Sequence, residues 1–437
     1  MCPKYTKHTL VSISVFLAAS TAFAQNIRNG ENSPYTRFGI GELKDGTNTN
    51  LRGMGRISAA YSSEYTVNTE NPASYASLKL TTYEAGGEGS TRTIHSNGDT
   101  YKSGMGGVSY LNIGIPVGKH AGIAFGLKPM ARVYYSLSDT LNTPGFGNGI
   151  YRYDGGGSLN YGYLGAAYKI KGFSIGANFG YVFGTIDKVR SLVSYNDTEK
   201  VQNTVFVNSN QLGGIYWKGG AMYETKINKK MLIRAGGTVT LSQKLNAKVD
   251  ELWMSQSNAS TTLNSSGTTV YVTDTAYGRY NVRDKVVLPA TYNVGVQLVS
   301  TTNKWLVGID YTSAQWSQFR NVGNTLDSVA DQTSKIAIGG EFTPNPASLR
   351  SYFQRVTYRL GFYYGTDYIR LRNTDMNYYA VTGGLSLPFK RSADRLHIAA
   401  EVGKRGTEAN GLSSENFVRF SLGISLNDKW FIKRKYE

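Results

Sequence analysis

The chain has 437 residues, among them 50 glycines, 32 tyrosines and one cysteine, with a formal net charge of +17. Cys2 precedes the N-terminal apolar run, so the rest of the chain has no thiol for a disulfide, a nucleophile or a metal ligand. Basic residues are spread along the sequence with one cluster at Lys433-Arg434-Lys435, and no basic helix or aromatic–basic RNA-binding motif accompanies them. Nucleic acid is therefore not an expected partner, and an anionic lipid surface is the plainer one.

The N-terminus reads as an export signal. Lys4 and Lys7 precede an apolar run from about Leu10 to Phe23, and Ala22-Phe23-Ala24 supplies a small-x-small cleavage pattern. Residues 1–24 are thus expected to be a signal peptide, with Gln25 starting the mature chain. No later window offers the ~18 consecutive apolar residues of a membrane helix. An exported chain that is rich in Tyr and Gly, free of cysteine and polar on average points to a transmembrane β-barrel. On composition alone, a secreted β-sandwich or β-propeller is the alternative.

Residues 25–44 form a loose leader, with Pro34, Gly39 and Gly41 interrupting regular structure. From Arg52 to Leu78 the chain is small and polar, with neither helical nor strand periodicity. It ends at Asn71-Pro72-Ala73, a turn-setting combination. Such a stretch cannot build its own core, so it is either a free leader or a plug held inside something larger.

From about Leu80 the pattern changes to period two. Phe173, Ile175, Ala177, Phe179, Tyr181 and Phe183 oppose Ser174, Gly176, Asn178, Gly180 and Gly184. Val356, Tyr358, Leu360, Phe362 and Tyr364 oppose Arg355, Thr357, Arg359, Gly361 and Gly365, and Val418, Phe420, Leu422, Ile424 and Leu426 oppose Arg419, Ser421, Gly423 and Ser425. In the stretch 119–136, Ile123, Phe125, Leu127, Ala131, Val133 and Tyr135 share the apolar face, and Arg132 falls on the other. One face suits lipid and the other water, and the glycine on the polar face suits close approach by a plug backbone.

The alternation predicts strands near 79–95, 104–116, 119–137, 156–170, 172–187, 211–227, 231–252, 287–300, 303–320, 333–344, 355–368, 376–389, 394–406 and 416–427. That is about fourteen antiparallel strands, with short turns at one end and longer loops at the other, as single-chain bacterial barrels require. The expected layout is signal 1–24, leader and plug 25–78, barrel 79–427 and periplasmic tail 428–437. Trp430 and Phe431 are placed to anchor the membrane boundary.

Chemistry is sparse. Gly172-Phe173-Ser174-Ile175-Gly176 matches a nucleophile pattern, but it lies inside an alternating strand rather than a strand-to-helix elbow. His95, His120 and His397 are not at metal-ligand spacing. No phosphate-binding or dinucleotide motif precedes a helix. Glu341 and Glu401 could pair across a lumen, as a barrel phospholipase would need. No enzyme activity, metal or cofactor is expected. By the alternation, Arg132, Lys218, Arg234, Lys335, Arg355, Arg359, Arg395 and Arg419 face inward against Glu224, Asp310, Glu341 and Glu401. Guanidinium forks at Arg132, Arg234, Arg355, Arg359 and Arg419 could hold an anionic head group. The blander reading is that they pair with the acids and fix the plug.

The order of leader, glycine approach (Arg52, Gly53, Gly55), small-residue run (Ser58, Ala59, Ala60) and Asn71-Pro72-Ala73 before strand one resembles the N-terminal hatch of FadL-type outer-membrane transporters of hydrophobic compounds such as long-chain fatty acids. Leu288-Pro289-Ala290-Thr291 also resembles a mid-barrel stretch of that family. The resemblance implies passive uptake of a hydrophobic or amphipathic small molecule through barrel and hatch, with Arg52, Gly53, Gly55, Asn71, Pro72 and Ala73 as hatch residues. It also implies an alternative, because some FadL-like barrels transport nothing. They serve as subunits of outer-membrane secretion or assembly complexes, contacting other outer-membrane or periplasmic proteins. The two classes separate at the external pocket: a transporter needs apolar residues lining its long loops, whereas 188–210 and 253–286 are mostly Ser, Thr, Asn and Val.

Overall fold

The computed structural model of the protein describes residues 32–430 apart from 97, 144–146, 195–202, 257–261, 264–268, 271–273, 325–327 and 391. The signal, Cys2, Phe431 and the Lys433–Lys435 cluster lie outside the described residues.

The wall is a meander of antiparallel strands. It runs β2 (Thr81–Ser96), β3 (Asp99–Val117), β4 (Ala121–Thr143), β5 (Gly147–Ile170), β6 (Phe173–Ser194) and β7 (Asn203–Lys226). Next, β8 (Met231–Thr240) continues into β9 (Gln243–Gln256), and β12 (Asp274–Leu288) into β13 (Thr291–Ser300), so each of these couples is one stave. A short pair, β10 (Thr262–Leu263) and β11 (Thr269–Val270), lies between them. The wall finishes with β14 (Trp305–Ala314), β15 (Thr333–Phe342), β16 (Thr357–Leu371), β17 (Thr374–Pro388), β18 (Arg395–Gly406) and β19 (Ser414–Asp428). Pairing of β19 with β2, from Ser414↔His95 to Asp428↔Thr81, closes a cylinder of fourteen staves. Closure leaves no long edge at membrane depth.

The residue alternation explains why this sheet closes with its apolar face outward. On β6, Phe173, Ile175, Phe179, Tyr181 and Phe183 are exposed, while Ser174 and Asn178 are buried. On β16, Leu360 and Phe362 are exposed and Arg359 is buried; on β19, Phe420 and Leu422 are exposed and Arg419 is buried. A water-soluble protein places these types the other way round. Leaving such side chains in water forfeits ~1.5–3 kcal/mol each, whereas hydrocarbon accepts them. Among the described residues no helix is long and apolar enough to cross a membrane.

Three features depart from the simple alternation. The β4–β5 ladder shifts register between Pro129 and Ala131. Pro129 has no N–H to give the ladder, and the extra residue inverts the phase. Ala131, Val133 and Tyr135 are therefore buried inside, not on the lipid face as expected, and Arg132 is on the opposite face from them. Next, the staves 231–256 and 274–300 break at 241–242 and 289–290, where Pro289 again supplies no donor. Finally, β5 and β7 have 24 residues each, far beyond the ~10 that cross a bilayer, so the β4–β9 side rises well past the membrane.

The wall has a seam between β3 and β4. β3 and β4 pair only from Leu111↔Leu127 to Val117↔Ala121. Beyond that, the edge of β4 is taken by the N-terminal segment. β1 (Glu42–Leu43) pairs with Arg132 and Ala131, the Lys44 amide donates to Met130 O (2.9 Å), and the Ser33 amide to Tyr134 O (3.2 Å).

From there the segment runs to Leu78 against the inward faces of the staves. Leu51, Met54, Ile57, Ala59, Val67, Ala73 and Tyr75 are all buried. Glycines on the wall make this approach possible. A Cβ at Gly176 would collide with Pro72, at Gly236 with Ala59 O, at Gly339 with Met54 O, at Gly361 with the Gly55 amide, and at Gly384 with Gly53 Cα. Each of these glycines is on a different stave, so backbone meets backbone around much of the circumference.

Candidate functional site at the N-terminal segment

The segment carries its own charges into the interior, where Glu42, Arg52, Arg56 and Glu70 find wall partners and Asp45 pairs with Arg56 of the segment itself. Glu42 accepts from Arg92 Nη2 (2.9 Å) and Arg419 Nη2 (2.9 Å), with Lys44 Nζ 3.5 Å away. Arg92 and Arg405 both approach Glu415 (2.7 and 3.8 Å), Arg405 donates to Asp367 (2.6 Å), and Ser33 Oγ donates to Glu415 (2.5 Å). One level down, Arg56 bridges Glu401 (2.6 Å) and Asp45 (2.5 Å). Arg52 pairs with Glu88 and donates to Thr47 O (3.0 Å) and Ser421 Oγ (3.1 Å). Glu70 accepts from Lys128 and Lys218, both at 2.7 Å. Burial alone would raise the Glu70 carboxyl, but these ammonium groups hold it well below the usual carboxylate range. Asp310 Oδ2 caps the segment backbone, accepting from Ser58 N (2.6 Å) and Ala59 N (2.8 Å).

The residues expected to form a hatch all sit in this interface. Gly55 has φ +70°, and its amide donates to Thr382 Oγ1 (2.8 Å). Gly53 faces Gly384 and Gly383. The Asn71 side chain accepts from Ala73 N (3.0 Å), which starts the helical turn Pro72–Ser77, and donates to Ala59 O (2.5 Å) and Ala221 O (3.3 Å). Pro72 and Ala73 rest on Gly176.

The five arginines expected inside divide. Arg234, Arg359 and Arg419 are buried and paired, Arg234 with Glu224 (2.7 Å), Arg359 with Glu341 (2.8 Å) and Arg419 with Glu42. The other two are corrections. Arg132 lies at the β3–β4 seam with Nη1 3.4 Å from Met105 Sδ, because the Pro129 bulge turned its face. Arg355 is not on a strand at all. It closes the turn Phe353–Arg355, with its guanidinium 5.4 Å from the Tyr352 ring. Glu341 and Glu401 are each occupied by an arginine rather than by one another. His397 lies buried between Ser386 Oγ (2.5 Å) and Ser425 Oγ (2.9 Å), and Ser174 is a buried strand residue. Among the described residues no acid–histidine cluster suited to a metal is present.

The interior leaves two main cavities. One, of about 370 Å³, lies beside Glu42–Asp45 and is bounded by Arg56, Lys218, Lys335, Tyr368 and Trp316. The other, of about 1290 Å³, opens at the short-turn end among the turns 118–120, 171–172 and 301–304 and the segment residues Tyr61–Thr66. Aromatic and aliphatic side chains share both walls with charged and hydroxyl ones.

A family profile described as BamG matches residues 6–437. The chain belongs to the BamG family. No curated protein matches it in sequence. In three dimensions, the chain resembles a FadL homologue of Pseudomonas aeruginosa (TM-score 0.54, 12% identity, 88% of this chain and 99% of that one). It also resembles the toluene transporters TodX of Pseudomonas putida (0.53, 14%, 87% and 98%) and TbuX of Ralstonia pickettii (0.51, 15%, 87% and 98%). At these identities the likeness is one of fold: an all-β, closed, fourteen-stranded antiparallel barrel of the FadL type.

Proposed function

We propose that this protein is an outer-membrane barrel whose residues 33–78 form a fixed plug, and that it acts as a membrane-embedded subunit of a larger outer-membrane assembly. The observation that supports this is the set of ion pairs between segment and wall. Arg52, Arg56, Glu42 and Glu70 are each tied to oppositely charged wall groups in a largely buried interior. Removing one partner from such a pair costs ~3–5 kcal/mol, so a plug that shifts in each transport cycle would have to break several at once.

A second reading is the expected one, passive uptake of an amphipathic small molecule. The FadL-type fold supports it, as does the 370 Å³ cavity, where the stacked Trp316 and Tyr368 rings (4.1 Å) could hold an apolar tail and nearby cations an anionic head. Gentle purification from native membranes, followed by protein and lipid mass spectrometry, separates the two. Stoichiometric protein partners without a bound amphiphile support the subunit. A stoichiometric amphiphile without protein partners supports uptake and defeats the first reading.

A further inference from the structure

We propose that the short-turn end of the barrel is a docking site for an extended, carboxylate-rich segment of a partner protein, anchored by Arg355 and Arg395; the proposal rests on the subunit reading above.

The charge balance of the 1290 Å³ cavity carries the first part of the argument. Its acids are already neutralised: Glu64 by Lys79, Glu224 by Arg234 and Lys169, and Glu341 by Arg359. Lys119, Lys171, Arg395 and Lys429 line the same cavity and form no ion pair with a described residue. A second cavity of about 340 Å³ adjoins it and is bounded by Arg355, Pro346, Phe389 and Arg395, so Arg395 belongs to both. There the Arg355 Nε is buried and meets no acceptor among the described residues. A buried guanidinium N–H left without an acceptor carries a desolvation cost that a bound carboxylate relieves, and the planar fork suits that ligand. Tyr352 beneath the guanidinium steadies its plane.

The shape argues for a chain rather than a lipid surface or a small anion. The cavity lies within the barrel end, partly walled by Tyr61–Thr66 and Ala76–Leu80 of the N-terminal segment, where a bilayer surface does not reach. Its volume exceeds the roughly 300–1,000 Å³ of small-molecule pockets. Short turns mark the periplasmic side of such barrels, so the partner would be periplasmic.

The test uses the purified full-length protein in detergent and a fluorescein-labelled dodecapeptide of alternating Glu and Ser, with a Gln–Ser peptide as control. Fluorescence anisotropy should show binding of the Glu peptide alone. Arg355→Gln/Arg395→Gln should weaken it at least tenfold, and so should Lys119→Glu/Lys171→Glu, which alters only exposed turn residues. Lys248→Glu/Arg279→Glu, on exposed strands toward the other end, should stay within twofold. Equal binding of both peptides, unchanged affinity in the turn variant, or capture of phosphatidylglycerol vesicles without peptide binding would overturn the site. Retention of a native partner by all charge variants would overturn it too while leaving the subunit reading intact. Peptide binding by a barrel that brings no partner from its membrane would support the site and sink that reading.

Discussion

Valine at Gly361 is the sharpest probe of how the segment is held. A Cβ there would overlap the Gly55 amide nitrogen and the Met54 carbonyl carbon and would lie 2.7 Å from Gly55 Cα. All three are backbone atoms, so no rotamer relieves the clash. Absorbed locally, such overpacking costs ~1–3 kcal/mol. Lifting the turn 52–56 off the wall instead would uncover Leu51, Met54 and Ile57, each 0% exposed, at roughly 5–8 kcal/mol by area. The cheaper response is a strained, partly displaced turn, lowering its opening free energy by ~1–3 kcal/mol. At 1.4 kcal/mol per decade, trypsin cleavage after Arg52 and Arg56 should accelerate about 5- to 150-fold. The folded barrel should keep its heat-modifiable gel mobility, because the lipid face is untouched. Gly89→Val is the control: a Cβ at Gly89 has nothing within 4 Å, so its cleavage rate should match that of the parent. If Gly361→Val is cleaved no faster than Gly89→Val, the segment is not pressed against the wall and the glycine argument fails.

Other consequences follow from the same interface. Glu401→Gln removes the wall partner of Arg56 but leaves Asp45, and should lower the thermal stability of the folded barrel by ~1–3 kcal/mol, read from its unfolding midpoint on gels. Arg132→Ala, at the seam and without an acidic partner in the ion pairs described, should cost under ~1 kcal/mol in the same assay. The depressed Glu70 carboxyl contributes stability that is fully present above its ordinary pKa of 4.5 and is lost only as pH falls through the lower folded value. Pepsin cleavage within 45–78 should therefore stay slow at pH 4 and rise well below it, and Glu70→Gln should flatten that rise. Leu360→Arg places a charge on the outer face and should reduce folding into lipid vesicles by ~2–4 kcal/mol if that position lies near the bilayer midplane.

The stave count and the two-faced wall were legible because period-two alternation survives in a single sequence. β6 and β19 match their predicted faces residue by residue, and so does β16 from Tyr358 on, whereas Val356, expected on the lipid face, is buried just before that strand starts. What alternation cannot carry is a change of phase. A single proline at 129 inverted half of β4, so Ala131, Val133 and Tyr135 were assigned to lipid and Arg132 to the interior. Arg355 was misplaced for a related reason: the strand starts at Thr357, and the preceding residues belong to a turn. The interior glycines were readable as a sign of close approach, but not which backbone approaches. The segment charges were harder still. Glu42, Asp45, Arg56 and Glu70 lie in a stretch without periodicity, so nothing in the sequence assigned them to Arg92, Glu401 or Lys128. The one available signal was local: charged residues directly flank the glycine turn and the Asn71-Pro72 step, in a stretch otherwise of small and neutral residues.

The seam sharpens what the segment does. A free plug touches only the inside of a completed wall, and its removal leaves the cylinder intact. Here the β4 edge above Leu127 is paired by β1 and by the Ser33 and Lys44 amides, so the segment supplies ladder hydrogen bonds that β3 does not. Withdrawing it would leave backbone groups of Met130, Arg132 and Tyr134 unpaired beside the apolar belt, each at a cost of several kcal/mol if the site is dry. Wall closure and segment docking are thus one folding event rather than two.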